Sequence, residues 1–100
     1  MIMGYQKMML QNLFDRVEGF EVSSETLLLQ DLEEMKYFRI KSGYTDVFYV
    51  LVRRGSRDYL YDCVQYNQKT KEIRDIRIGG RMEIVETRPI FKNKDDFKEQ

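Results

Sequence analysis

The chain has 100 residues, with 17 Lys and Arg, 17 Asp and Glu, no His, no Trp and one Cys. This length corresponds to a single domain with a modest core, and a hydrophobic content of 42% excludes a disordered chain. The absence of histidine removes the usual general base at neutral pH and the partner of Ser-His and Cys-His nucleophiles. A lone cysteine also excludes an internal disulfide.

The first predicted element is a helix from about Met3 to Glu18. Its apolar stripe recurs every four residues and contains Tyr5, Met9, Leu13 and Val17, widened by Leu10 and Phe14. Gly19 follows and suits a left-handed helix cap. Three methionines, Met3, Met8 and Met9, take the apolar content beyond one face. Packing of the helix on a sheet is the favoured interpretation. Because thioethers adapt to varied shapes, the surplus methionines are also a candidate protein interface.

The next segment, 24–35, is ambiguous. Ser23 and Ser24 are good helix N-caps, and Leu28, Leu32 and Met35 would share one face of a short helix. A brief buried strand over 26–29 is the alternative. The capping signal favours the helix.

From residue 36 the hydrophobic period changes to two, which is typical of strands. Strands are predicted at 37–41, 47–52, 59–66, 72–78 and 81–87. The unbroken apolar run 47–52 indicates a central strand, and Tyr59, Tyr61 and Cys63 share one face of the third strand. Gly79-Gly80 predicts a two-residue hairpin. The last strand should end at Pro89 or lie at a sheet edge, because proline cannot donate to a ladder.

Short turns between successive strands predict an antiparallel meander of four or five strands. One or two N-terminal helices would cover it, so the predicted class is α+β. A strongly twisted sheet would close into a small SH3-like or Sm-like barrel. We predict one domain over 1–91 and a charged, flexible tail over 92–100.

Neutrality conceals an asymmetry between the two parts of the chain. The net charge is −3 over residues 1–46 and +3 over 47–91. The basic excess is largely arginine, which forms planar forks with phosphate and stacks on bases. A candidate surface for an anion or nucleic acid therefore comprises Arg53, Arg54, Arg57, Arg74, Arg77, Arg81, Tyr59 and Tyr61. Acidic residues lie between these arginines in the sequence, so charge pairing on a solvated sheet face is the simpler interpretation.

No catalytic, cofactor-binding or metal-ligating residues are identified. Positioned carboxylate pairs, the phosphate loop and the dinucleotide fingerprint are all missing. Cys63 is interpreted as a small buried hydrophobe because no histidine is present to activate it. We expect a protein that is not an enzyme, with an RNase-like toxin as the least improbable enzyme.

Two stretches resemble known families. Residues 59–60, 74–78, 81–82 and 84–85 resemble the core of WYL domains, which are Sm-like barrels that sense ligands or nucleic acid in bacterial regulators. The tryptophan of that family is replaced by Asp58, and no helix-turn-helix accompanies the match. Residues 38–41 and 47–50, after helices, resemble RelE-type ribonuclease toxins, which are strongly basic where this chain is neutral. Both resemblances consist of common strand chemistry, and neither is adopted.

The favoured function is binding without chemistry: a small adaptor, inhibitor or regulator that contacts another protein and itself, as a homodimer. Tyr, Met and Arg are enriched in interface centres. The alternative is a single-stranded nucleic-acid or nucleotide-binding module that uses the Arg/Tyr surface. No segment reaches the length of a membrane span or has the pattern of a signal peptide. One unpaired cysteine fits a reducing compartment, so we expect the cytoplasm and no membrane partner.

Overall fold

The computed structural model describes residues 4–56 and 59–92. Within them, one α-helix, α1 (Gly4–Asp15), precedes a single antiparallel sheet. The strands are β1 (Val17–Leu28), β2 (Tyr37–Ile40), β3 (Val47–Arg53), β4 (Leu60–Asn67), β5 (Ile73–Gly79) and β6 (Glu83–Phe91). A single 3₁₀ turn, Leu29–Asp31, follows β1. The predicted α+β class is confirmed, whereas the predicted tail beyond Lys92 lies outside the described residues.

The strands lie in the order β1-β6-β2-β3-β4-β5. The run from β2 to β5 is the predicted meander, and β6 returns to lie between β2 and a strand that the sequence does not predict, β1. The predicted helix over 24–35 is wrong, because β1 continues to Leu28 and pairs there with Glu83. Tertiary pairing with β6 has overridden the capping signal. Of the residues predicted to share a helix face, Leu32 is buried but Met35 is exposed, with a φ of 65°.

Two glycine predictions are also wrong. Gly19 does not cap α1; it lies in β1 opposite Ile90, and no described glycine has a positive φ. A turn does follow β5, where the Met82 N–H donates to the Gly79 carbonyl at 3.1 Å. It forms no hairpin, because β5 and β6 are not neighbours in the sheet. The Gly-Gly pair therefore marks a turn but not which strands it connects.

The short link between β5 and β6 requires a curved sheet. The two strands are four positions apart in the sheet order, which would be about 19 Å in a flat sheet. The four peptide steps from Gly79 to Glu83 reach at most about 14 Å. The sheet therefore curls to bring these strands together. Among the described residues no ladder joins β5 to β1 or to β6, so the closed SH3-like or Sm-like barrel is not formed.

Both faces of the curled sheet are covered. The inner face carries the larger core, which includes the 3₁₀ turn and comprises Leu29, Leu32, Phe38, Tyr49, Leu51, Tyr61, Cys63, Ile78 and Ile84. The outer face packs against α1 through a second cluster of Leu10, Phe14, Val50, Val64 and Tyr66. β3 contributes to both clusters, so the prediction that it is buried on both faces is confirmed.

The buried face of α1 differs from the predicted stripe. Leu10 and Phe14 are buried, whereas Met9 is exposed. The Phe14 ring stacks on Tyr66 with centroids 4.3 Å apart and an interplanar angle of 3°, and it meets Tyr37 edge-on at 6.2 Å. Aromatic contact with β4 and β2 therefore sets the rotation of the helix on the sheet.

Gly55 lies where a side chain has no room. A Cβ on it would come within 2.6 Å of the Leu60 carbonyl oxygen, whereas a Cβ on Gly79 meets nothing within 4 Å. We expect Gly55→Ala to lower the free energy of unfolding by about 1–3 kcal/mol through overpacking. The matched Gly79→Ala should raise it slightly or leave it unchanged. Urea titration of both variants measures the difference, and equal stabilities would contradict this account.

Candidate interaction surfaces

The methionines of α1 are accessible but do not form one face. Met8 is 66% exposed and Met9 is 65% exposed, while Met3 lies outside the described residues. Consecutive residues of an α-helix point about 100° apart. The two methionines therefore present separate apolar contacts, one on the solvent side of the helix and one toward its flank.

The candidate Arg/Tyr surface is dispersed by the fold. Tyr61 is 1% exposed and belongs to the inner core, so it cannot stack on a ligand, whereas Tyr59 is 73% exposed. Arg74 lies opposite Gln65, on the inner-face side of the sheet, and Arg77 lies opposite Asp62 on the outer side. Arg57 is outside the described residues. The set predicted from the sequence therefore does not form a single patch.

Arg54 has a structural contact with the segment after β1. Its backbone N–H donates to the Glu34 carboxylate at 3.1 Å, and its guanidinium donates to the Gln30 carbonyl. These bonds link the end of β3 to the loop that leads into β2. Arg81 is exposed in the turn before β6 and also interacts with another residue.

Two other arginines flank Asp62 on the outer face. The pairing register puts Arg53 opposite Asp62 and Asp62 opposite Arg77. The Arg77 Nε lies 3.2 Å from the Asp62 carboxylate. The three residues form a cross-strand row of alternating charge that ends at the outer edge of β5.

One surface depression lies at the other side of the sheet. It has a volume of about 290 Å³ and is lined by Glu21, Val22, Ser23, Glu86 and Arg88. Arg88 faces Glu21 across the β1–β6 ladder. Within the described part of the chain, no group of three or more Asp, Glu, Cys or His side chains is placed to hold a metal ion.

The most distinctive feature is a pair of sheet edges, β1 and β5, that no described strand covers. β1 has 12 residues, contains no Lys, Arg or Pro, and carries Glu18, Glu21 and Glu25. Its pairing with β6 is irregular between Val22 and Thr26, where Ser23 accepts a hydrogen bond from the Glu25 N–H. The sequence reasoning missed this edge because the same serines resemble a helix N-cap.

The hydrogen bonds between β6 and β2 determine which backbone groups of β1 bond to β6 and which point away from it. The Lys41 N–H donates to the Glu83 carbonyl, so Glu83 and every second residue after it, up to Thr87, bond to β2. The alternate residues, including Arg88, then bond to β1. Arg88 faces Glu21, so the N–H and C=O groups of the neighbouring Phe20 and Val22 point toward the uncovered edge.

The same alternation defines the edge of β5. The Asn67 N–H donates to the Glu72 carbonyl at 3.0 Å, which makes these two residues a bonded pair. Continuing the ladder along β4 and β5, the backbone groups directed away from β4 belong to Ile73, Asp75, Arg77 and Gly79. β5 pairs without a bulge, so this edge is regular.

Comparisons of the chain with family models, curated proteins and solved structures found no match. The resemblances to WYL domains and to RelE-type toxins therefore receive no support from them. In the described residues no helix has the length and apolar character needed to cross a membrane.

Two buried groups make stability sensitive to high pH. Burial, with a smaller effect of the Asp62 charge, raises the pKa of the Cys63 thiol to about 12, and burial raises the pKa of Tyr37 to about 12. The thiol is thus protonated at neutral pH and held in the core, which agrees with its interpretation as a hydrophobe.

We expect stability to fall as the pH rises from 9 toward 12, because the unfolded chain releases the Cys63 proton first. The loss approaches about 1.4 kcal/mol per pH unit for one such group. Guanidinium titrations across this window should show a shallower decline for Cys63→Ala than for the wild type. Parallel declines would contradict the raised pKa of the thiol.

Proposed function

We propose that the protein is a non-enzymatic interaction module that binds an extended segment of a protein partner by strand addition along β1. The observation that supports it is the edge of β1 with which no described strand pairs, where the backbone groups of Phe20 and Val22 point outward. The Gln68 side chain contacts this strand before that segment, where it donates to the Glu18 carbonyl at 3.2 Å. An added strand would receive main-chain hydrogen bonds from these residues. The proposal includes association of the protein with itself, and it places the protein in the cytoplasm, where the unpaired Cys63 would remain reduced.

The composition of β1 supports this use of the edge. Soluble proteins protect exposed edge strands with charged residues, above all lysine, and with proline, bulges or short length. β1 has three glutamates and a bulge between Val22 and Thr26, but it is long and has neither lysine nor proline. The regular run Gly19–Val22 before the bulge is the segment that an added strand would pair with.

The charge of β1 favours a basic partner segment. Glu18, Glu21 and Glu25 are exposed. Glu21 already faces Arg88, which leaves the other two carboxylates to attract a cation. Val22 is 44% exposed and supplies an apolar contact beside them. We therefore propose a partner strand in which Lys or Arg alternates with apolar residues.

The geometry gives less support to the nucleic-acid alternative. Single-strand binding uses aromatic platforms beside a continuous basic groove. Here Tyr61 is buried, and Arg74 and Arg77 lie on opposite sides of the sheet. Binding of nucleic acid would instead appear as nuclease-sensitive capture in the experiment described below.

Proline at position 22 tests strand addition directly. The Val22 N–H points away from β6, so Val22→Pro removes no ladder bond of the fold and blocks an added strand. The matched Val22→Thr keeps the N–H and the branched side chain. On an array of peptides with alternating apolar and basic residues, we expect Val22→Pro to weaken binding at least about tenfold, and Val22→Thr to retain it.

Three outcomes would contradict the proposal. One is equal binding of the peptides by the proline and threonine variants, which would show that the peptides do not bind at the edge of β1. Another is loss of binding in a Met8→Lys, Met9→Lys double variant with no loss in Val22→Pro, which would place the partner on α1. The third is capture from native lysate that disappears after nuclease treatment and weakens steeply with salt, which would indicate nucleic acid.

A further inference from the structure

We infer that a second copy of the chain binds along β5, antiparallel to it, with Ile76 on the two-fold axis. This inference gives the self-association in the proposed function a specific surface. It concerns β5, at the other end of the strand order from β1, and the substituted residues differ, so the two proposals are tested separately. The resulting dimer would continue the sheet from one copy into the other.

The backbone of β5 matches itself in this arrangement. With Ile76 opposite Ile76 of the second copy, Asp75 lies opposite Arg77 of the second copy, and the reverse pair follows by symmetry. Asp75 and Arg77 are both residues whose N–H and C=O groups point away from β4. Each of the two pairs therefore exchanges two hydrogen bonds. Ile73 lies opposite Gly79 of the second copy in the same phase, but the Gly79 carbonyl already accepts from the Met82 N–H, so the ladder proper comprises the Asp75 and Arg77 pairs.

The charges select this register over its neighbours. Centred on Ile76, each carboxylate of Asp75 meets a guanidinium, and no like charges face each other. Moving the axis by one residue, to Asp75 or to Arg77, puts two identical charges directly opposite, which is destabilising. Placing the axis between two residues pairs outward backbone groups with groups already bonded to β4. Of the registers centred on Asp75, Ile76 and Arg77, the sequence of β5 is therefore self-complementary only in the one centred on Ile76.

The outer face extends a charged row that already exists within one copy. Arg53, Asp62 and Arg77 alternate in sign across β3, β4 and β5, with the Arg77 Nε 3.2 Å from Asp62. Asp75 of the second copy would be the next member of this row. A guanidinium has five N–H donors in a fixed fork, so Arg77 can serve both carboxylates.

The inner face supplies the apolar contact. Ile76 is half-buried and packs against the inner core. In the proposed register Ile76 and its symmetry mate form a non-hydrogen-bonded pair, the type in which opposite side chains approach most closely. The exposed part of Ile76 would thus be buried, and the inner core of each copy would become continuous with the other.

A disulfide at the axis tests the register. In a Cys63→Ala background, Ile76→Cys puts two thiols on residues with Cα atoms about 4.5 Å apart, which a disulfide can span. Arg74→Cys in the same background is the matched control, because residue 74 lies opposite residue 78 and about 13 Å from its own counterpart. Under mild oxidation we expect Ile76→Cys to yield a covalent species of twice 12.1 kDa, and Arg74→Cys to yield none.

A charge exchange tests the pairing without new thiols. Asp75→Arg gives a chain with two arginines at the contact, and Arg77→Asp gives a chain with two aspartates. Each should sediment as a monomer, whereas an equimolar mixture should form a heterodimer because every Arg then faces an Asp. Circular dichroism confirms that both variants are folded before they are mixed.

Several results would overturn the inference. A wild-type chain that sediments as a monomer at high micromolar concentration would contradict it. Equal cross-linking of the Ile76→Cys and Arg74→Cys variants would also contradict it. Failure of the two charge variants to associate when mixed would do the same. None of these results affects peptide capture by β1, so failure here is distinguishable from failure of the proposed function.

Discussion

The architecture depends on the ladders that β6 makes on both of its sides. β6 bonds to β2 through residues up to Thr87 and to β1 along its whole length. It also places Ile84, which is fully buried, in the inner core. Without β6, β1 would have no strand partner and β2, which is four residues long, would pair on one side only. The prediction that β6 ends at Pro89 or lies at an edge is wrong, because it continues to Phe91 between β1 and β2. Pro89 is tolerated because β2 has already ended at this level, so the missing N–H faces no strand.

The position of β6 also determines which strands remain uncovered. Because β6 returns to the β2 side of the meander, β5 is left as one edge and β1 becomes the other. The two edges differ in character. β1 is acidic and interrupted by a bulge, whereas β5 is regular and has alternating charges. The binding capacity that we propose is therefore a property of main-chain groups and their phase, more than of any cluster of side chains.

Local pattern was sufficient for much of the fold. Period-two alternation located β2, β4 and β5, and the unbroken apolar run over 47–52 located β3; these strands follow one another in space as they do in the chain. Alternation grouped Tyr61 with Cys63 correctly along β4, but it did not indicate that this face is the core, so Tyr61 was assigned to a surface. Tyr59 precedes β4 and is exposed, so the prediction that it shares this face is not supported. The serines before Thr26 carry the same local signal in a bulge as at a helix start. Only pairing with β6, some 60 residues later, decides between them.

The edges were beyond sequence reasoning for the same reason. An edge is defined by the absence of a neighbour, and the neighbours here are set by the crossing from β5 to β6. That crossing depends on curvature, which arises from the packing of both cores and has no local signature at Gly79-Gly80. Once the strand order and one ladder hydrogen bond are known, the alternation of residues along each edge strand gives the backbone groups that point outward. The same alternation gives the register in which opposite charges meet.

The late position of β6 has a consequence for synthesis. Residues 83–91 are synthesised after all the other described strands, yet among the described residues β1 pairs with no strand except β6. During translation the meander from β2 to β5 can assemble from local contacts, while β1 must wait for a segment separated from it by most of the chain. Such long-range closure is slow compared with helix or hairpin formation. The nascent chain therefore exposes β1 as an unpaired strand until β6 has been synthesised, and in that interval it is more vulnerable to aggregation and more dependent on chaperones.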